Sequence, residues 1–121
     1  MFRGTATIRT YPKWIVAYTD RELGNYYRAL IPKYVQAKPP KYAPHITIIR
    51  LGKESPPHYD WGDYDGRVIE FQYEPPLKFQ FPYFFLDVYS EEIGQIRREL
   101  GLPTFRYPFT KYHTTIANLK D

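Results

Sequence analysis

Hydrophobic and polar positions along this chain fall into short runs with two different periods. Lys13 to Thr19, KWIVAYT, is β-branched and aromatic and predicts a strand. Asp20 follows as a helix N-cap, and DRELGNYYRALI sets Leu23, Tyr26, Tyr27, Leu30 and Ile31 at helical spacing until Pro32 stops the run. A Pro-rich connection, QAKPPKYAP, leads into HITIIRL, which reads as a buried strand. The same order then recurs. PYFFLDVY predicts a strand, Ser90 caps SEEIGQIRREL with Ile93, Ile96 and Leu100 on one face, and the loop GLPTFRYPFT leads to a last strand, KYHTTIANL.

The two helices align by letter, ELGNYYRAL against EIGQIRREL, each with a glycine after its first core aliphatic residue. Glycine there costs about 1 kcal/mol relative to alanine, and close packing against the sheet would account for it. Between the halves lie a turn-rich loop, GKESPPHYDWGDYDG, and RVIEFQYEPPLKFQF, which reads as two strands broken at Pro75-Pro76. The opening TATIRT reads as an edge strand. The expected fold is therefore α+β: one domain over residues 1–121 made of two duplicated strand–helix–strand lobes, about 1–55 and 66–121, whose antiparallel sheets line a central groove.

Composition sharpens this picture in three ways. A chain of 121 residues supports one core. With 13 Tyr, 8 Phe and 2 Trp the aromatic content exceeds what core filling asks for, and a net charge of +4 favours an anionic partner. The absence of cysteine removes disulfides, thiolate nucleophiles and sulfur-ligated metals, and suits a reducing compartment. MFRGTATIRT has no apolar signal region and no run approaches the ~20 apolar residues of a membrane helix, so the expectation is a cytoplasmic protein without a membrane partner.

The candidate chemistry lies in a repeated phrase. Two of the three histidines occur in the frame H-x-T-I, as HITI (His45 to Ile48) and HTTI (His113 to Ile116), each on the last strand of its half. Residues i and i+2 of a strand share a face, so His45 projects with Thr47 and His113 with Thr115. Near neutral pH a histidine pair holds one neutral and one protonated ring. The neutral ring takes a proton from an attacking hydroxyl or water, and the imidazolium gives one to the leaving oxygen. A threonine hydroxyl two residues along donates to a phosphoryl oxygen as charge develops there. This is in-line phosphodiester chemistry without metal or cofactor. One H-x-T in a strand is common and mostly structural; two copies in matching places are not. His58, in SPPHYDW, fits neither frame and reads as a surface-loop residue. The carboxylates are scattered, and neither H-E-x-x-H nor a glycine-rich phosphate loop occurs.

In these two motifs and the repeat around them the chain resembles the 2H phosphoesterases, a family named for two H-x-[ST]-x motifs on facing strands. The resemblance extends over most of the chain. It implies that His45 and His113 form the acid–base pair and that Thr47 and Thr115 bind the phosphate. It implies substrates among RNA 2′,3′-cyclic phosphate ends, 2′-5′-linked oligoadenylates, small cyclic phosphates and cyclic oligonucleotide signals. Many relatives are longer, and loops that fix substrate choice elsewhere are expected to be missing here.

The walls of the groove should separate these substrates. Lys41-Tyr42 precedes His45 and Lys111-Tyr112 precedes His113, and Tyr11, Trp14, Arg106 and Tyr107 fall in or beside loops able to reach the same groove. Base stacking on such rings contributes about 1–3 kcal/mol per base. A compact aromatic groove without an extended basic track favours a small cyclic or short oligonucleotide over long RNA, and no protein partner is implied. In length and motif spacing the chain looks like small phage-type members of the family that degrade cyclic di- and trinucleotide immune signals (anti-CBASS enzymes), which would place it in the host cytosol. The alternatives are an RNA 2′,3′-cyclic or 2′-5′ phosphodiesterase, and a non-catalytic nucleotide-binding module in which the histidines only hydrogen-bond phosphate.

Overall fold

The structure, a computed structural model, describes residues 1–57, 61–106 and 108–120. Six strands form its framework: β1 (Phe2–Tyr11), β2 (Trp14–Thr19), β3 (His45–Arg50), β4 (Val68–Gln80), β5 (Tyr83–Tyr89) and β6 (Tyr112–Asn118). Two nine-residue helices, α1 (Arg21–Ala29) and α2 (Glu91–Glu99), follow β2 and β5. No helix among the described residues is long and apolar enough to cross a membrane. His58 and Tyr107 lie outside the described residues.

The strands close into a single antiparallel barrel in the order β1-β2-β3-β6-β5-β4. This overturns the expected two-lobed, duplicated strand–helix–strand α+β fold. The element order does run β1–β2–α1–β3 and then β4–β5–α2–β6, but no pair of lobes results. The reason is β1. It is not an edge strand: it pairs with β2 from Ala6↔Thr19 to Tyr11↔Trp14 and with β4 from Phe2↔Tyr73 to Thr7↔Val68. That second ladder joins the outer edges of the two halves, and a closed sheet leaves no edge exposed. Nor does Pro75-Pro76 divide two strands. β4 runs through it, and the ladder to β5 slips register between Glu74 and Lys78, where the prolines offer no N–H to pair.

The core follows from alternation. Ile8, Ile15, Ala17, Ile46, Ile48, Ile69, Phe71 and Val88 pack with Ile93, Ile96 and Leu100 of α2. Leu86 and Ile116 pack with Tyr27 of α1. Both helices are capped as their sequences predict: the Asp20 carboxylate accepts from the Glu22 N–H at 2.9 Å, and Ser90 Oγ from the Ile93 N–H at 3.3 Å. The apolar face of α1 is narrower than its spacing suggests. Tyr26 and Leu30 are 61% and 60% exposed, because the helix ends at Ala29 and touches the sheet through Leu23, Gly24 and Tyr27.

The paired glycines have a definite use. A Cβ on Gly24 would stand 3.0 Å from Pro44, and one on Gly94 would stand 3.0 Å from Thr104 and 3.4 Å from the Tyr112 hydroxyl. Pro44 and Tyr112 are the residues immediately before His45 and His113. Each helix is thus pressed against the start of a motif strand.

One buried group is left unsatisfied. Thr114, between the two motif residues of β6, is fully buried and its Oγ1 has no hydrogen-bond partner. A buried hydroxyl without a partner is destabilising. Thr114→Val, which keeps the shape and removes the hydroxyl, should therefore stabilise the protein by about 1 kcal/mol. Urea unfolding of the two proteins measures this, and a lower midpoint for the variant would show that the hydroxyl is bonded after all.

Candidate active site

β3 and β6 meet at one register pair, Ile46↔Thr114. Both residues face the core, so their neighbours face the other way. Antiparallel pairing at that point sets His45 opposite Thr115 and Thr47 opposite His113, with the two histidines on the diagonal. Diagonal neighbours across a sheet stand about 7–8 Å apart, which leaves room for one phosphate between the rings. The four predicted catalytic residues are thereby gathered on one face by a single strand pairing.

The imidazoles are fixed differently. The Nδ1–H of His45 donates to the Ala43 carbonyl at 2.8 Å. A carbonyl has no proton to give, so Nδ1 carries one and Nε2 is the atom available to the groove. The half-buried His45 ring meets Trp14 edge-on at 5.6 Å and Tyr18 at 6.1 Å. His113 packs edge-on against Phe85 at 5.8 Å. The residue is exposed, yet its pKa is lowered from the ordinary 6.5. Loss of water around the ring is the main cause, the charges of His45 and Arg106 act in the same sense, and only Asp87 opposes them. The neutral form of His113 is therefore favoured, and the His45 ring lies close enough for its charge to act on His113.

The residues beside each histidine come from the neighbouring strand. Register places Tyr18 of β2 opposite His45 and Asp87 of β5 opposite His113. On the His45 side an aromatic cluster forms. Trp14 lies 5.5 Å from Tyr11 and 5.8 Å from Tyr42, and the hydroxyls of Tyr11 and Tyr18 share a hydrogen bond of 3.0 Å. That bond and burial push the Tyr18 pKa up to about 12, so its hydroxyl stays protonated. On the His113 side Asp87, only 7% exposed, accepts from Lys78 Nζ and, at 3.4 Å, from Lys111 Nζ.

The predicted substrate residues divide accordingly. Tyr11, Trp14 and Tyr42 cluster about His45, and Lys111 stands beside Asp87 near His113. Arg106 is half-buried, 4.8 Å from the Phe109 ring, and its charge reaches His113. Lys41 is exposed, 5.6 Å from the Tyr42 ring. Tyr112 does not belong to the site. It is 8% exposed in the core, and its hydroxyl donates to the Thr104 carbonyl, because its place in β6 turns it away from His113. Tyr18, Lys78, Phe85 and Asp87 went unread in the sequence. Asp87 had left a signal there, as the single charge within YFFLDVY.

Among the described residues no three His, Cys, Asp or Glu side chains gather as a metal site would require. The open cleft beside α1, lined by Phe2, Tyr26, Tyr27, Phe71 and Tyr73 among others, contains none of the four motif residues. Comparison with protein-family models, curated proteins and solved structures finds no match for this chain.

Proposed function

We propose that this protein is a phosphodiesterase of the 2H type that works by two-histidine acid–base catalysis. The observation that carries this reading is the convergence of His45, Thr47, His113 and Thr115 on one face through the Ile46↔Thr114 pairing. Neutral His113 acts as the base. It takes the proton of a water or ribose hydroxyl as that oxygen bonds to phosphorus. His45 acts as the acid: its Nε2–H protonates the leaving oxygen as the opposite P–O bond breaks. Proton exchange with solvent then restores both rings. Thr47 and Thr115 donate to the non-bridging oxygens, where charge develops in the transition state.

The aromatic wall of Tyr11, Trp14, Tyr18 and Tyr42 supports a nucleotide substrate, since a nucleobase stacks on such rings whatever its identity. The site is compact. For these reasons we infer 3′-5′ phosphodiester bonds of cyclic di- or trinucleotide signals as the target, as in phage evasion of host immunity, with the cytosol as the compartment.

The test is turnover in excess EDTA of a panel: 3′,3′- and 2′,3′-cyclic dinucleotides, a cyclic trinucleotide, 2′-5′ oligoadenylate and an RNA 2′,3′-cyclic phosphate end. Cyclic oligonucleotides should be hydrolysed. Turnover of the RNA end alone would move the protein to RNA processing, and loss of activity to the chelator would end the acid–base assignment. The pH profile adds a check. A base whose pKa is lowered stays competent on the acid side of its ordinary range, so the acid limb of kcat/KM should be centred below pH 6.5. An acid limb centred above that value would remove His113 as the base.

A further inference from the structure

The two ends of the site are not chemically alike, although the strand pairing treats them alike. At the position opposite the histidine, one end presents Tyr18 and the other Asp87. The His45 end is neutral and aromatic. At the His113 end, Lys78 and Lys111 share the carboxylate of Asp87, and the guanidinium of Arg106 acts on the same imidazole.

Charge counting shows an excess. Two carboxylates stand here, buried Asp87 and the exposed Glu74 opposite it on β4, and three cations surround Asp87 and the adjoining ring, which leaves one net positive charge. Among the described residues Arg106 has no carboxylate partner; it rests on Phe109. Both lysine side chains stay open to solvent, 48% for Lys78 and 41% for Lys111. Asp87 anchors their ammonium groups, and Tyr89 stands 5.6 Å from Lys111, so they are held in place rather than free to sweep through water. Anchored and accessible cations beyond what the carboxylates require have no evident structural purpose. The scissile phosphate does not require them either, since Thr47, Thr115 and an imidazolium already address it.

We propose that Lys111, Lys78 and Arg106 form a second anion subsite at the His113 end, which receives a phosphate adjoining the scissile one. The substrate is then a phosphodiester with a neighbouring phosphate, as in a cyclic or linear oligonucleotide, and a mononucleoside cyclic phosphate fills only part of the site. This rests on the phosphodiesterase reading above.

The experiment compares a cyclic dinucleotide, with two phosphates, and a mononucleoside 2′,3′-cyclic phosphate, with one, on wild type, Lys111→Gln and Arg106→Gln. The ratio of kcat/KM between the two substrates should fall about tenfold in each variant, the size expected for one charge-assisted contact. Arg106→Gln leaves Asp87 and its lysines untouched, so it guards against an indirect effect through the carboxylate. Titration of both ligands by calorimetry on the His113→Ala background runs in parallel, where Lys111→Gln should weaken the dinucleotide selectively. Equal losses on both ligands, or none, would overturn the subsite. If wild type turns over neither substrate, the phosphodiesterase reading has failed, and the binding titration still decides the subsite.

Discussion

Replacing His113 with alanine is expected to lower kcat/KM by about 10²- to 10⁴-fold while the barrel stays folded. The side chain is exposed and lies on the face turned away from the core, so removing it opens no cavity. What is lost is the group that accepts the nucleophile's proton. His45→Ala should cost a similar factor for a different reason, because no acid then reaches the leaving oxygen. That variant also loses the bond to Ala43 and the packing against Trp14 and Tyr18, so its melting temperature belongs beside its rate. The double variant should be little slower than either single one, since the two protons move in one concerted displacement and removing either partner disables it. Thr115→Val and Thr47→Val should act on kcat more than on KM if the hydroxyls bind the transition state in preference to the substrate. Single alanine variants that retained activity within about threefold would make both histidines bystanders, and the site would have to be sought elsewhere.

The parts of this site that were legible in the sequence are those that depend on local period. H-x-T on a strand dictates that histidine and threonine share a face, and the caps at Asp20 and Ser90 announce both helices. What pairs with what is not a local property. Nothing in TATIRT says that its second edge will meet β4, and that contact, with the β3–β6 pairing, turns two expected lobes into a closed barrel. The same limit hid Tyr18 and Asp87. Their importance comes from lying opposite His45 and His113, and register is set by ladders among residues distant in sequence. Tyr112 misled for a simpler reason. Adjacent residues of a strand face opposite ways, so the tyrosine touching His113 in sequence was the one sure to point away from it.

Arg97 shows that a signal can be present and still go unread. The apolar stripe of α2, Ile93, Ile96 and Leu100, passes directly over it, so the spacing puts an arginine on the buried face. It is 2% exposed, and all three guanidinium nitrogens donate hydrogen bonds. Nε donates to the Pro103 carbonyl at 2.9 Å, and Nη1 donates to the Ile48 carbonyl at 2.7 Å. Nη1 and Nη2 together grip both oxygens of Glu54, whose side chain is 9% exposed. One side chain thus ties α2 to the strand carrying Thr47, to the turn after it, and to the loop that leads to His113.

Arg97→Met is therefore expected to destabilise the protein by about 3–5 kcal/mol, the cost of leaving a buried carboxylate without its counter-ion. That is a large part of the 5–15 kcal/mol that holds a domain of this kind together. Arg97→Lys should recover little of it, since an ammonium cannot make the forked contact with Glu54 and reach two carbonyls at once. Arg97→Met combined with Glu54→Leu should recover much of the loss, because the unpaired charge is gone. The recovery should stay incomplete, with the Ile48 and Pro103 carbonyls still deprived of their donor. Urea unfolding of the four proteins at one pH measures the series. A loss below about 1 kcal/mol in Arg97→Met would mean that solvent reaches Glu54 freely, as it does in surface pairs of that worth. The guanidinium would then not be what ties α2 to the strand carrying Thr47.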